Sequence, residues 1–245
     1  MGRAAACHAG FVGSIGKGRL NFILVAVAAF ALGTNAVGSV SEDLDAHQVF
    51  ERSKERTMEI DGNLRSVDIQ FTQVMQLESR GGDKDRLVFN ITVRHGKFER
   101  QLISSTVPNG DRFNGGYDAF DRMFLLYDYF SDEGKTLTSC EFQKTDCHEC
   151  YGINFTLSKT SDPGDPVNVV DASLNSNNFT PVRIKERVSG LPLGAEFDDD
   201  IRVSYDKNAD LYFPESIVMR VYARLFFLKG EIGVITIKNE GLKKI

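Results

Sequence analysis

The stretch from Ile217 to Ile237 reads IVMRVYARLFFLKGEIGVITI and decides the fold. In its first half every second side chain is apolar, and Arg220 and Tyr222 stand among the residues between them. A period of two is typical of a β-strand with one wet face. Lys229-Gly230 predicts a turn into a final strand over Ile232–Ile237. A first strand of 11 residues covers about 36 Å, so we expect a tall and strongly curved antiparallel sheet.

Upstream residues repeat this alternation in shorter segments. Apolar and polar residues alternate from Val67 to Leu77 and again from Leu87 to Val93, with Gly81-Gly82 between the two segments. His95-Gly96 predicts a turn into a third strand that runs through Ile103. Consecutive strands joined by short turns predict an antiparallel meander. Similar alternation predicts further strands at residues 137–142, 153–157, 167–172, 182–188 and 201–205.

Two segments have helical spacing instead. From Ser41 to Met58 the apolar residues recur at a period near 3.6, which predicts a helix. The serine and acidic residues at its start are typical of a helix N-cap. Asp61-Gly62-Asn63 predicts the break after this helix. A second, strongly aromatic helix is predicted from Tyr117 to Phe130. The fold class predicted from all these segments is α+β, a curved antiparallel sheet with helices against it.

The first 38 residues have the order of a secretory signal peptide. Lys17 and Arg19 precede an uncharged apolar run from Phe22 to Leu32, and small and polar residues follow. This run is shorter than the roughly 20 residues that a membrane core requires. We therefore expect a signal peptide over residues 1–38, cleaved before Val37 or Ser39, and a single domain over residues 39–245. An uncleaved membrane anchor is the alternative.

The charge of the chain argues against nucleic-acid binding. The formal net charge is −5. Residues 1–38 carry three basic residues and no acidic one, so the remaining residues carry −8. A negative surface repels phosphate backbones, and lysine and arginine are spread among acidic residues without forming a basic patch. We expect no nucleic-acid partner.

Three cysteines remain after the predicted leader: Cys140, Cys147 and Cys150. A disulfide suits an exported protein, and we expect Cys140 to pair with Cys147 or with Cys150. A zinc site that adds His148 has suitable ligand types, but adjacent ligands at Cys147 and His148 rarely reach one metal ion. Redox chemistry at Cys147-x-x-Cys150 requires a helix N-terminus, whereas strands flank this motif. The disulfide is the favoured interpretation.

Catalytic and cofactor motifs are missing from the sequence. It contains no Gly-x-Ser-x-Gly elbow, no His-Glu-x-x-His helix and no phosphate-binding glycine loop. Asp206-x-Asn208-x-Asp210 lacks the glycine and glutamate of a calcium loop, so we interpret it as a polar turn. Asp198-Asp199-Asp200 is interpreted as a solvated loop. We therefore expect no enzyme activity, no metal and no cofactor.

The mature chain resembles the periplasmic lipoprotein carrier (LolA/LolB-like) superfamily. The resemblance rests on three segments. The first is the predicted helix followed by Val67-Asp68-Ile69-Gln70-Phe71-Thr72-Gln73, and the second is Phe179-Thr180-Pro181-Val182-Arg183-Ile184. The third is the C-terminal segment from Tyr212-Phe213-Pro214 to Lys229-Gly230. Such proteins have an incomplete, strongly bent antiparallel barrel whose concave side is covered by helices and holds acyl chains. The resemblance thus implies a soluble carrier or sensor, periplasmic or otherwise secreted.

An apolar concavity of this kind favours a lipid chain as ligand. The expected partners are lipid or lipidated protein, together with envelope transport machinery. The alternative is a non-catalytic exported interaction or envelope-assembly module whose core is filled. The candidate lining residues are Val67, Ile69, Phe71, Leu87, Phe89, Ile91, Phe120, Phe124, Met219, Val221 and Phe227.

Overall fold

The computed structural model describes residues 44–108, 124–131, 134–158, 166–191, 194–225 and 228–245. Leu44 to Ile245 form one compact unit. The predicted leader lies outside the described residues. One α-helix, a short 3-10 helix (Leu126–Tyr129) and ten strands are described. These are α1 (Ala46–Ser66), β1 (Ile69–Ser79), β2 (Lys84–Arg94), β3 (Lys97–Ser105), β4 (Thr136–Phe142), β5 (Cys150–Ser158), β6 (Val167–Asn175), β7 (Pro181–Ser189), β8 (Glu196–Asp206), β9 (Leu211–Leu225) and β10 (Leu228–Lys244).

All ten strands belong to one open antiparallel sheet. Their order is β3-β2-β1-β10-β9-β8-β7-β6-β5-β4. Neighbours in space are neighbours in sequence except for β1 and β10, which pair directly, for example at Met75 and Ile237. The predicted antiparallel meander is therefore confirmed. The first and last strands, β1 and β10, are neighbours in the interior of the sheet, and β3 and β4 form its two edges.

The hairpin predicted from Ile217 to Ile237 forms the centre of the sheet. Ile217 is paired with Ile237 and Met219 with Ile235. Both strands extend beyond the predicted bounds, to 15 residues in β9 and 17 in β10. Pro214 did not stop β9, because it stands beside a register shift in the pairing with β8, where a ladder hydrogen bond is not required.

Helix α1 differs from its predicted bounds at both ends. Asp45 is its N-cap and forms a capping box with Gln48, so the predicted caps upstream were wrong. The helix also continues through Asp61-Gly62-Asn63, where a break was predicted. A glycine inside a helix costs only about 1 kcal/mol. Ile60 and Leu64 on either side of it are both 3% exposed, and burying them offsets that cost.

Aromatic contacts show that the sheet is strongly curved. The Phe124 ring lies 5.5 Å from that of Phe98 on β3, and the Phe130 ring lies 5.2 Å from that of Phe155 on β5. In a flat sheet eight strand spacings would separate β3 from β5 by about 38 Å. The segment from Phe124 to Phe130 spans only about 16 Å, because it includes the 3-10 helix. The sheet therefore bends around this segment, and we call the enclosed face the inner face.

The second predicted helix is only partly described. Residues 117–123 lie outside the described residues, and the described end is the 3-10 helix Leu126–Tyr129. Leu126 and Phe130 are buried in the core, and the ring of Phe130 lies 6.0 Å from that of Phe50 on α1. No helix among the described residues combines the length and apolar character that crossing a membrane requires.

Candidate functional site on the inner face

A fully packed row of residues crosses the inner face. Cross-strand pairing places its members side by side from β5 to β10, and each is 0–1% exposed. Phe50 of α1 packs against the same face, with its ring 4.8 Å from the ring of Phe155. This part of the face is filled by the protein's own side chains. The row consists of Ile153, Ala172, Ile184, Ile201, Ile217 and Ile237.

On β7 to β10 and on β1, the next two rows of the inner face include residues that are less covered, whereas on β5 and β6 the next residues, Phe155 and Val170, are still 0% exposed. Six apolar side chains occupy two neighbouring rows there, and each is only partly buried. Leu77 and Ile235 still pack against the core, whereas the other four do not belong to it. A contiguous, partly exposed apolar surface is typical of a binding site. We call this surface the concave apolar band; it consists of Leu77, Val188, Phe197, Met219, Val221 and Ile235.

The band is next to a polar group on the same face. Asp199 is paired with Met219 on one side and with Glu186 on the other. Burial, followed by the charge of Asp198, raises the pKa of Asp199 to about 7. Burial is also the main reason that the pKa of Tyr129 lies well above its usual value, and the charges of Asp199 and Glu186 act in the same direction. The apolar band therefore ends at carboxylates with restricted access to water.

Glu186 belongs to a hydrogen-bonded chain. The Asn168 side-chain amide donates to Glu186 Oε1 at 2.7 Å, and Lys135 Nζ donates to Asn168 Oδ1 at 2.7 Å. Glu186 and Asn168 are both buried. A buried carboxylate is tolerated when hydrogen bonds satisfy it, so this chain accounts for Glu186.

The outer face of the same strands is charged. Arg183 binds Asp200 through two hydrogen bonds, the longer of 2.8 Å, and Arg187 binds Asp198 at 2.9 Å. Asp198, Asp199 and Asp200 lie within β8, so the predicted solvated loop was wrong. Alternation along the strand explains the arrangement: Asp198 and Asp200 point outward to arginines, whereas Asp199 points inward.

The predicted lining residues separate into three groups. Met219 and Val221 are in the concave apolar band, and Val67 is partly buried where α1 ends. Phe120 and Phe227 lie outside the described residues. The others belong to the packed core and are at most 3% exposed; they are Ile69, Phe71, Leu87, Phe89, Ile91 and Phe124. Contact of any of these residues with a ligand stays a prediction.

Sequence reasoning missed four members of the band: Leu77, Val188, Phe197 and Ile235. Leu77 and Ile235 follow the alternation of strands that were predicted, so the signal was present. Phe197 precedes three aspartates that were interpreted as a loop, which hid its strand. Asp199 was missed for the same reason.

The loop between β4 and β5, residues 143–149, is called the cysteine loop here. Its Cys147 forms a disulfide with Cys150 at the start of β5, and their Cα atoms are 5.5 Å apart. Cys140 is a free thiol, so the predicted pairing through Cys140 was wrong. Cys140 points inward from β4, and its thiol donates to the Ala46 carbonyl oxygen at 3.3 Å. Burial raises the pKa of Cys140 to about 11. Within the described residues no three His, Cys, Asp or Glu side chains are grouped to hold a metal ion.

A cleft of about 440 Å³ separates this loop from the outer face of the sheet. Lys144, Asp146, Arg183 and Glu215 are among its lining residues. Its lining includes side chains of both charges. It offers no apolar surface comparable to the concave apolar band.

Comparison with known proteins gives structural similarity only. No protein-family model matches the chain, and no curated protein matches its sequence. A solved LolA superfamily protein from Nitrosomonas europaea is 12% identical, with a TM-score of 0.39, and the match covers 82% of this chain and 93% of that chain. An outer membrane lipoprotein-sorting protein domain from Vibrio parahaemolyticus, described in its name as putative, is 11% identical, with a TM-score of 0.46 and the same two coverages.

A third solved structure belongs to a DUF1329 family protein from Desulfovibrio piger. It is 12% identical, with a TM-score of 0.44, and the match covers 82% of this chain and 94% of that chain. Two of these three solved structures have names that belong to the lipoprotein carrier superfamily, which the sequence resembles.

Proposed function

We propose that this protein is a non-catalytic carrier or sensor that binds the apolar chain of a lipid or lipidated protein on the concave apolar band. The observation that supports this function is the partial exposure of six apolar side chains on the enclosed face of a curved sheet. Apolar residues on an enclosed face usually become fully buried. Those of the band keep surface available for a ligand.

The energetics favour an alkyl chain. Each buried methylene contributes about 0.8 kcal/mol, so a chain of ten carbons gains at most about 8 kcal/mol before the costs of association. This gain requires no precisely placed polar group. The resemblance of the sequence to lipoprotein carriers leads to the same class of ligand.

We place this function outside the cytoplasm, in the periplasm or another exported location. The predicted leader supports export. The disulfide between Cys147 and Cys150 supports an oxidising compartment, since disulfides rarely persist in the cytosol. A lipidated protein or a component of the envelope transport machinery would then be the partner that delivers or accepts the chain.

The test is binding of a twelve-carbon acyl probe whose fluorescence increases in an apolar environment. We expect saturable binding to the wild-type protein. Val221→Asp places a charge in the band and should weaken binding at least tenfold. The matched control is Val182→Asp, because Val182 is an exposed valine on β7 that is not part of the band. Both variants should unfold at temperatures close to that of the wild type.

A filled interaction module is the second candidate. It is favoured by the six predicted lining residues that are buried in the packed core. If the wild-type protein takes up no acyl probe, the carrier proposal is wrong and the interaction module is preferred. If Val221→Asp binds the probe as the wild type does, the placement of the ligand on the concave apolar band is wrong.

A further inference from the structure

Next to the concave apolar band lies one buried acceptor, on Asp199, that no donor among the described residues satisfies. Asp199 lies on the inner face of β8, between Phe197 of the band and the fully buried Ile201. Its Oδ1 atom is buried and accepts no hydrogen bond from any residue that the structure describes. Buried carboxylate oxygens in folded proteins almost always have a donor, so a missing one calls for an explanation.

The opposite carboxylate differs in this respect. Glu186, paired with Asp199 across the strands, accepts a hydrogen bond from Asn168, which in turn binds Lys135. On the outer face, Asp198 and Asp200 are each bound to an arginine. Asp199 therefore stands out among these four carboxylates as the one whose buried oxygen has no donor.

The surroundings of Asp199 specify what could satisfy it. A carboxylate is an acceptor only, so the missing group must be a donor. Two opposed carboxylates repel a further anion and attract a cation. On the other side of Asp199, Met219 is partly exposed, so an apolar chain on the band would bring its polar end to this position.

We propose that Asp199 is a specificity-determining anchor for the ligand of the concave apolar band, and that the ligand is an amphiphile whose alkyl chain carries a protonated amine. This inference rests on the proposed function and narrows it: a free fatty acid, whose carboxylate would face two others, is disfavoured. The raised pKa of Asp199 agrees with a carboxylate that lacks its cation.

Three ligands with the same chain test the anchor on the full chain. Dodecylamine, dodecanol and dodecanoic acid are titrated against the protein-bound acyl probe at pH 8, below their aggregation concentrations. We expect dodecylamine to displace the probe at a concentration at least tenfold lower than dodecanoic acid, with dodecanol between them. In Asp199→Asn the preference for the amine should fall at least tenfold, while displacement by dodecanol changes by less than about threefold.

Asp198→Asn is the matched control, since it removes the adjacent carboxylate of the outer face and should leave the preference unchanged. Equal displacement by the amine and the acid, or an unchanged preference in Asp199→Asn, would overturn the proposal that Asp199 is the anchor. If dodecanol still displaces the probe in that case, the proposed carrier function is unaffected. Failure of all three ligands and of the probe would overturn both proposals.

Discussion

Asp61 on α1 accepts a hydrogen bond of 2.9 Å from the backbone N–H of Tyr127 at the start of the 3-10 helix. Its second oxygen accepts another, of 3.0 Å, from the N–H of Leu126. Amides at a helix start have no partner within the helix, so one carboxylate satisfies two of them. This contact connects α1 to the segment around which the sheet bends.

Asp61 makes stability depend on pH. Burial raises its pKa to about 6, against 3.8 in the unfolded chain, although the two amides act to lower the pKa. The folded chain therefore holds this proton more tightly, and the resulting stabilisation is complete below pH 3.8 and lost as pH rises through 6. The expected loss between pH 4 and pH 8 is on the order of 2 kcal/mol. Asp199, with a pKa of about 7, acts in the same direction.

Urea unfolding at both pH values measures this effect. In Asp61→Asn the side chain cannot ionise, so the loss of stability between pH 4 and pH 8 should be smaller than in the wild type by about the same 2 kcal/mol. Equal losses in the two proteins would show that Asp61 does not carry this proton.

Replacing Gly62 by alanine should stabilise the protein. It lies inside α1, and an added Cβ would meet no atom within 4 Å. Gly62→Ala should raise the free energy of unfolding by about 0.5–1 kcal/mol, because alanine loses less backbone entropy on forming a helix. Thermal unfolding measures this change. A lower melting temperature would contradict the continuation of α1 through this residue.

Gly152 on β5 should not tolerate a side chain. A Cβ there would lie 2.4 Å from the carbonyl oxygen of Gln143, whose own N–H donates to the Gly152 carbonyl at 2.9 Å. Gly152→Ala should displace the cysteine loop and destabilise the protein by about 1–3 kcal/mol. Gly62→Ala is the control for the same chemical change in open space. A Gly152→Ala protein as stable as the wild type would contradict the close packing of this loop.

Among Cys140, Cys147 and Cys150, only Cys140 should react with an alkylating reagent once the protein is unfolded without reductant. Alkylation without reductant, followed by peptide mapping, should modify Cys140 and leave Cys147 and Cys150 linked. In the native protein the reaction should be slow, since the thiolate is the reactive form and burial raises the pKa of Cys140 to about 11. Modified Cys147 in the unreduced sample would contradict the disulfide.

Alternation predicted most of the sheet from the sequence. The strands at Leu87, Ile153 and Val182 were found within a few residues of their bounds, because a period of two reports directly on one buried face. The pairing of β1 with β10 could not be predicted, since it joins segments more than 150 residues apart.

The inner face was harder to predict than the strands. Phe89 and Val221 follow the same pattern in sequence, yet one is buried in the core and the other is partly exposed. Strand periodicity does not encode which part of the inner face the rest of the chain covers. The predicted pairing of the disulfide was wrong for a related reason, because the inward direction of Cys140 depends on the register of an edge strand.

Photocrosslinking tests the central claim, that an apolar chain binds on the concave apolar band, most directly. A dodecyl chain that carries a diazirine is irradiated with the wild-type protein, and the labelled peptides are mapped. Label should fall on peptides that contain Phe197, Met219 and Val221, and excess dodecanol should suppress it. Label concentrated instead on exposed apolar residues elsewhere, such as Met58 and Ile103, or label that dodecanol does not suppress, would contradict the claim.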